Sequence, residues 1–155
     1  LFNLHPKNID IIIHPQSIVH SMVEFNDGSI KAQMGVPDMK VPIQYALTYP
    51  SHLNSQWKRL DLLSCDDLTF RKPDFKRFPS LKLAYDVLNT GGTASAALNL
   101  SNDYAVKKFL ERKIKFIDIY KINYSSIQNH PWVEEPSLND LTNLESSVKN
   151  HVNAF

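Results

Sequence analysis

The sequence predicts an α+β chain: an antiparallel hairpin or sheet segment, then a C-terminal bundle of about four helices. Three observations carry this. Ile30, Ala32 and Met34 alternate with Ser29, Lys31 and Gln33 after an Asn26-Asp27-Gly28 turn, which is the period-two pattern of a strand leaving a tight turn. After Pro79 the apolar period lengthens, and Leu81, Ala84, Tyr85 and Leu88 recur at helical spacing. Near the end, Ser137 and Asp140 form a capping-box-like start to a stripe of Leu141, Leu144, Val148 and Val152.

The elements follow in chain order. Leu1 to Leu4 reads as the last turn of a helix, and the β-branched run Ile9 to Ile13 as a buried strand. Pro15, in His14-Pro15-Gln16-Ser17, interrupts regular pairing. Val19 to Phe25 and Ser29 to Met34 then pair as a hairpin with one face buried. Gly35 to Pro42 is a loop, and Pro42 opens a short helix through Leu47 that ends before Pro50. Ser51 to Pro79 is an irregular connection whose one apolar-rich piece is Leu68 to Phe70; a connection of that length has a task, such as crossing between lobes.

In the helical part, Gly91-Gly92 stops the first helix. Thr93 is placed to cap the second, whose apolar face is Ala97, Leu98, Ala105, Val106, Phe109 and Leu110. A third helix runs from about Asp118 with Tyr120, Tyr124 and Ile127 on its apolar face, and His130-Pro131-Trp132 breaks it. The Leu141 to Val152 stripe is core packing rather than a docking face for a partner. Trp57 and Trp132 are read as anchors of a lobe contact. The expected boundaries are 1–50 for the sheet-bearing part, 51–79 for the connecting arm and 80–155 for the helical domain.

Composition narrows the class. A formal charge of +1 over 155 residues implies neither nucleic acid nor an anionic membrane as partner. No apolar run approaches the ~20 residues that span a bilayer, and the one cysteine, Cys65, excludes an internal disulfide framework and fits a reducing compartment. The chain opens on Leu-Phe-Asn rather than Met, which is read as a fragment cut within a structural element.

Taken residue by residue, the chemistry is sparse. No Gly-rich phosphate loop, Cys/His metal spacing or nucleophile elbow occurs. His14 and His20 are the only histidine pair near expected buried strands, and each suits a phosphate donor or proton carrier; the alternative is a histidine bonded to backbone at a strand end. Gln16 and Ser17 between them could donate to an anion or serve local turns. Asp38, beside Met39 and between Pro37 and Pro42, either lines a pocket or caps the following helix. Glu134-Glu135 reads as a solvated pair. A metal hydrolase built on His14 and His20 is disfavoured because no carboxylate motif accompanies them.

The string HPQSIVHSMVEFNDGSIKAQMGVPDMKVPIQYALTYP, from His14 to Pro50, resembles the 1-deoxy-D-xylulose 5-phosphate reductoisomerase family. The shared pattern is His-Pro-Gln-Ser, two apolar residues, His-Ser-Met, a strand, an Asp-Gly turn, a second strand, then Pro-Asp-Met and a Pro-initiated helix. Leu60-Asp61, Leu68-Thr69-Phe70, Phe78-Pro79 and Leu81-Lys82-Leu83-Ala84 extend the likeness into the arm and the helical domain. One departure is Leu98-Asn99-Leu100-Ser101-Asn102-Asp103, where the family commonly has Leu-Asn-Ala-Ala-Asn-Glu; it raises the question of how that segment packs.

The resemblance implies that the hairpin is the end of a catalytic and dimerisation domain. The full enzyme isomerises its phosphorylated sugar substrate and reduces the intermediate with NADPH to 2-C-methyl-D-erythritol 4-phosphate, assisted by Mg²⁺ or Mn²⁺. It further implies that the metal ligands and nucleotide site lie outside this chain, which alone would be inactive and holds no catalytic residue. His20 is implied as substrate-binding, with Ser17 and His14 in the same loop, while Pro37, Asp38 and Met39 line the mouth of the site and Met39 packs near the nicotinamide or a lid. A homodimer through the hairpin sheet and a bacterial cytoplasmic setting, or alternatively a plastid, are implied too. The competing reading is a non-catalytic interaction module that kept the fold.

Overall fold

The computed structural model describes residues 4–155. The expected end of a helix at Leu1 to Leu4 therefore falls largely outside the described residues. The chain divides into two compact units, one of residues 11–73 and one of residues 1–10 with 74–155.

The smaller unit is organised by its hairpin. Strand β1, Val19–Glu24, pairs antiparallel with β2, Ile30–Met34. The turn closes where Gly28, at φ 82°, donates its N–H to the Phe25 carbonyl, and the Ser29 amide and hydroxyl both donate to Asp27 Oδ1. Those two donors hold the Asp27 carboxyl below the usual carboxylate range. The pairing is interrupted once: Val19 faces Met34, but Ser21 faces Gln33, so His20 is an extra residue on β1. A bulge of this kind turns its side chain out of the regular alternation.

Two expectations fail here. Ile9 to Ile13 is not a strand; only Ile13 is paired, in an isolated antiparallel bridge with Arg71. A β-branched run becomes a strand only where a neighbour supplies the ladder, and Arg71 supplies a single rung. Nor is one face of the hairpin buried within this unit. Only Val19 is half-buried, while Val23, Phe25 and Ile30 are more than half exposed.

Helix α1, Lys40–Thr48, begins two residues before Pro42, which sits in its first turn where a missing N–H costs nothing. It ends at Tyr49, and the Tyr45 ring stacks on His52 at 4.4 Å just beyond. The connection after it is irregular, as expected, apart from a 3₁₀ turn at Leu62–Ser64 capped by the Asp61 carboxylate.

The larger unit is a helical bundle of α2, Ser80–Thr90, α3, Ala94–Leu110, α4, Phe116–Asn129, and α5, Leu138–Asn153. Helix α3 touches the other three. Its Ala97 and Ala105 are fully buried and let the neighbours approach closely, with Ile122 of α4 and Leu144, Val148 and Val152 of α5 filling the core. The α5 stripe is thus core, and the Ser137–Asp140 capping box that starts it is formed in both directions.

Three details depart from the sequence reading. Thr93 occupies the N-cap position of α3 without capping it. Its hydroxyl donates to the Pro131 carbonyl and accepts from the Val133 amide, so the side chain is spent on tying down the α4–α5 connection. Leu110, assigned to the apolar face of α3, is 73% exposed because it lies on the outward face with Asp103 and Lys107. On α4 the fully buried position is Ile122, with Asn123 and Ser126 beside it. Tyr124 is on the exposed side, whereas Tyr120 and Ile127 pack on a second cluster around Leu83, Val87 and Ala94. The aromatic residues biased the predicted face by about a third of a turn.

The departing segment Leu98 to Asp103 lies in the middle of α3. Ser101 is fully buried and its hydroxyl donates to the Leu98 carbonyl; Asn102 accepts at 3.0 Å from the Asn123 side-chain amide across the α3–α4 contact. Asp103 is exposed. The changed residues are therefore accommodated within the helical unit. No helix among the described residues is long and apolar enough to cross a membrane.

Candidate functional site

All six candidate residues, His14, Ser17, His20, Pro37, Asp38 and Met39, fall in the smaller unit. The loop that carries the first two begins at the Ile13–Arg71 bridge, whose two backbone hydrogen bonds are each 2.9 Å. From there the side chains continue what the backbone stops doing. The Gln16 amide donates to the Asp67 carbonyl at 2.7 Å and to the Thr69 hydroxyl at 2.9 Å, and its oxygen accepts from the Thr69 N–H at 3.3 Å and the Thr69 hydroxyl at 3.2 Å. His14 Nδ1 bonds the Thr69 carbonyl at 2.9 Å and the ring stacks on Phe70 at 4.8 Å. A carbonyl only accepts, so Nδ1 carries the proton. Nε2 is buried and has no partner among the described residues. His14 is thus fastened through Nδ1 to the backbone of the connecting arm.

Ser17 follows in the left-handed region at φ 51°, its N–H donating to the His14 carbonyl at 3.1 Å. Its own carbonyl accepts from His20 Nε2 at 3.0 Å. His20 is exposed, and Gly35 lies beside it: a Cβ built on Gly35 would stand 3.8 Å from His20 Cε1. The Gly35 N–H donates to the Ile18 carbonyl at 3.0 Å, which brings the start of the second candidate loop against the first.

In that second loop the Asp38 N–H donates to the Val36 carbonyl, and Asp38 Oδ1 accepts from the Lys40 N–H at 3.0 Å. Asp38 therefore caps the start of α1, although Met39 holds the formal N-cap position. Its carboxylate, half-buried, lies 3.9 Å from the exposed Lys40 Nζ, a long contact that adds little. Met39 is 71% exposed and leaves a flexible thioether open to contact.

His20, Ser17 and Gly35 are thus brought together, while His14 is committed to the arm. Sequence reasoning missed the role of Gln16, whose partners lie 51 and 53 positions away, and the bulge that sets His20. Neither has a local signature. No group of three or more His, Cys, Asp or Glu side chains among the described residues is placed to hold a metal ion. The donors here do not fit a divalent metal centre.

The hairpin, the irregular connection and the four-helix unit are shared with solved reductoisomerases. The 1-deoxy-D-xylulose 5-phosphate reductoisomerase from Zymomonas mobilis, in complex with NADPH, superposes with a TM-score of 0.86 at 38% identity over 94% of this chain and 38% of that one. A DOX-P reductoisomerase in complex with NADPH, fosmidomycin and magnesium gives 0.85 at 38% identity, over 92% of this chain and 37% of the other.

Residues 34–151 match the family of the DXP reductoisomerase C-terminal domain, and the chain belongs to that family. Among curated relatives, the 1-deoxy-D-xylulose 5-phosphate reductoisomerase of Heliobacterium modesticaldum is 52% identical over 138 residues, 89% of this chain and 35% of the relative. That of Chloroherpeton thalassium is 47% identical over 152 residues, 98% of this chain and 39% of the relative. The chain spans less than two fifths of the length of either.

Proposed function

We propose that the chain is the C-terminal portion of an NADPH- and divalent-metal-dependent reductoisomerase that converts 1-deoxy-D-xylulose 5-phosphate to 2-C-methyl-D-erythritol 4-phosphate in non-mevalonate isoprenoid biosynthesis. The observation that carries this is the family match over residues 34–151, together with identities of 52% and 47% to reductoisomerases along nearly the whole chain. In this reading NADPH supplies the hydride and Mg²⁺ or Mn²⁺ the Lewis acid, both held by parts of the enzyme beyond this chain. The chain's own residues bind and orient. His20 meets the sugar phosphate beside Ser17, and Pro37, Asp38 and Met39 form the mouth of the cleft.

The test has two arms. The chain alone is expected to show no NADPH oxidation with deoxyxylulose phosphate, because the donors among the described residues make no metal centre; turnover by the pure chain overturns this. In the joined enzyme, His20→Gln is expected to raise KM more than it lowers kcat, since it removes a ligand contact without touching the metal. An unchanged KM refutes the assignment of His20. Bacterial cytoplasm is the proposed setting, which fits the bacterial sources of the relatives.

We also propose association as a homodimer through the hairpin. Met22, Val23, Ile30 and Met34 on a two-stranded sheet, and Phe25 at its turn, are all exposed, and such strands invite pairing or cover. Sedimentation of the joined enzyme is expected to give a dimer, and a monomer at all concentrations refutes it.

A further inference from the structure

A hydrogen bond to a carbonyl decides where a neutral imidazole keeps its proton. His20 Nε2 lies 3.0 Å from the Ser17 carbonyl oxygen, which cannot donate, so the neutral ring carries its proton on Nε2. Nδ1 is then a bare acceptor, and it has no hydrogen-bond partner among the described residues. What aims the Ser17 carbonyl at the ring is the left-handed backbone of Ser17, at φ 51°. That conformation is costly for a serine, so contacts of its neighbours are needed to hold it there. One neighbour is Gln16, fastened to Asp67 and Thr69 by four hydrogen bonds between 2.7 and 3.3 Å.

We propose that Gln16 is a positioning residue, which by clasping Asp67 and Thr69 of the connecting arm holds Ser17 left-handed and thereby fixes His20 as the Nε2–H tautomer, presenting Nδ1 as an acceptor for a hydroxyl donor of the bound sugar. Neither Gln16 nor the arm need touch the ligand. The arm thus reaches the binding histidine through one side chain and one backbone carbonyl. The last clause, on the sugar hydroxyl, rests on the functional reading above; the clasp and the tautomer do not.

The tautomer is read directly in this chain without ligand, by two-bond proton–nitrogen correlation of the ¹⁵N-labelled imidazoles, with His20 assigned by the signal lost in His20→Gln. In the unprotonated ring, Nδ1 is expected at the pyridine-like position and Nε2 at the pyrrole-like one, in a ratio of about fivefold, as one hydrogen bond of ordinary net strength sustains. Gln16→Ala is expected to bring the two nitrogens towards each other as the ring averages over both forms. Thr69→Val should shift them the same way by less, and Thr69→Ser, which keeps the hydroxyl, should restore them. Cross-strand contacts between Val19 and Met34 report whether the hairpin itself persists.

A native His20 with its proton on Nδ1, or with no preference, overturns the proposal. So does a native-like ring in both Gln16→Ala and Thr69→Val, or a Thr69→Ser ring as disturbed as that of Thr69→Val. If Gln16→Ala loses the hairpin, the two Thr69 variants decide; if Thr69→Val loses it too, the clasp merely holds the unit together and the positioning role is rejected. A retained tautomer with an unchanged KM in His20→Gln would refute the substrate role of His20 and leave the clasp standing.

Discussion

Leu144 and Leu138 lie on the same helix, six positions apart, and differ almost only in what surrounds them. Leu144 is 1% exposed and packed among Ala97, Ala105, Ile122 and Val148, whereas Leu138 is 80% exposed at the first position of α5. Truncation of Leu144 to Ala removes about three carbon groups from a closed core. At ~0.8 kcal/mol each that loses ~2.4 kcal/mol of transfer energy, and an incompletely collapsed cavity brings the total to roughly 3–5 kcal/mol. The same truncation at Leu138 removes groups already in water and should stay within about 0.5 kcal/mol. For a unit of this size each kcal/mol moves the midpoint by about 4–8 °C, so Leu144→Ala should lower Tm by more than about 10 °C. Far-UV circular dichroism follows the loss, because the helices of the larger unit dominate that signal. The reasoning is refuted if Leu138→Ala destabilises as much as Leu144→Ala, which would mean that the α5 stripe is not the face that holds the bundle.

Other expectations follow from the caps and turns. Ser137→Ala should cost about 1 kcal/mol in urea denaturation, the usual loss when an N-cap hydroxyl is removed, since it deletes the acceptor for the Asp140 N–H. The Ser137 hydroxyl and amide also hold the Asp140 carboxyl below its usual range. A depressed folded-state value gives stability that is present above about pH 4 and lost as pH falls through the folded value, so Ser137→Ala should flatten the acid limb of the stability profile. Gly92→Ala should lower Tm more than an ordinary surface change. Gly92 has φ 52°, and an added Cβ would collide with the Val133 carbonyl, so the left-handed cost of about 1–2 kcal/mol is joined by a forced movement of the α4–α5 connection. Val133→Ala, which keeps that carbonyl, should not relieve it in a double variant.

What could be foreseen from the sequence was local. The hairpin followed from an Asn-Asp-Gly turn between alternating runs, and α5 from a serine and an aspartate three residues apart. Both are decided by neighbours within a few positions. The failures share an opposite cause. Ile9 to Ile13 has the composition of a strand, but pairing depends on who lies alongside, and only Arg71 does. Thr93 has the chemistry of a cap, yet Pro131 and Val133, distant in sequence, claim its hydroxyl. The α4 face was drawn through its tyrosines, while the core took Ile122, Asn123 and Ser126. In the candidate site the histidines were legible as residue types. Their settings were not: His14 bonds the arm through Nδ1, and His20 sits on a bulge with Nε2 bonded to the Ser17 carbonyl.

The Asn102–Asn123 contact has a consequence for how sharply the bundle is specified. Asn123 is 4% exposed, its amide is spent on Asn102, and its oxygen has no partner among the described residues. Such a pair adds little depth to the native well, yet a slide of α4 along α3 by one turn would strand both amides at about 1–3 kcal/mol for each unmade bond. Replacing both with leucine should therefore give a bundle that melts later but samples more than one alignment, visible as broadened amide resonances along α3 and α4. In that sense the two asparagines act as a spelling check on the packing, costing some stability to exclude a near-miss.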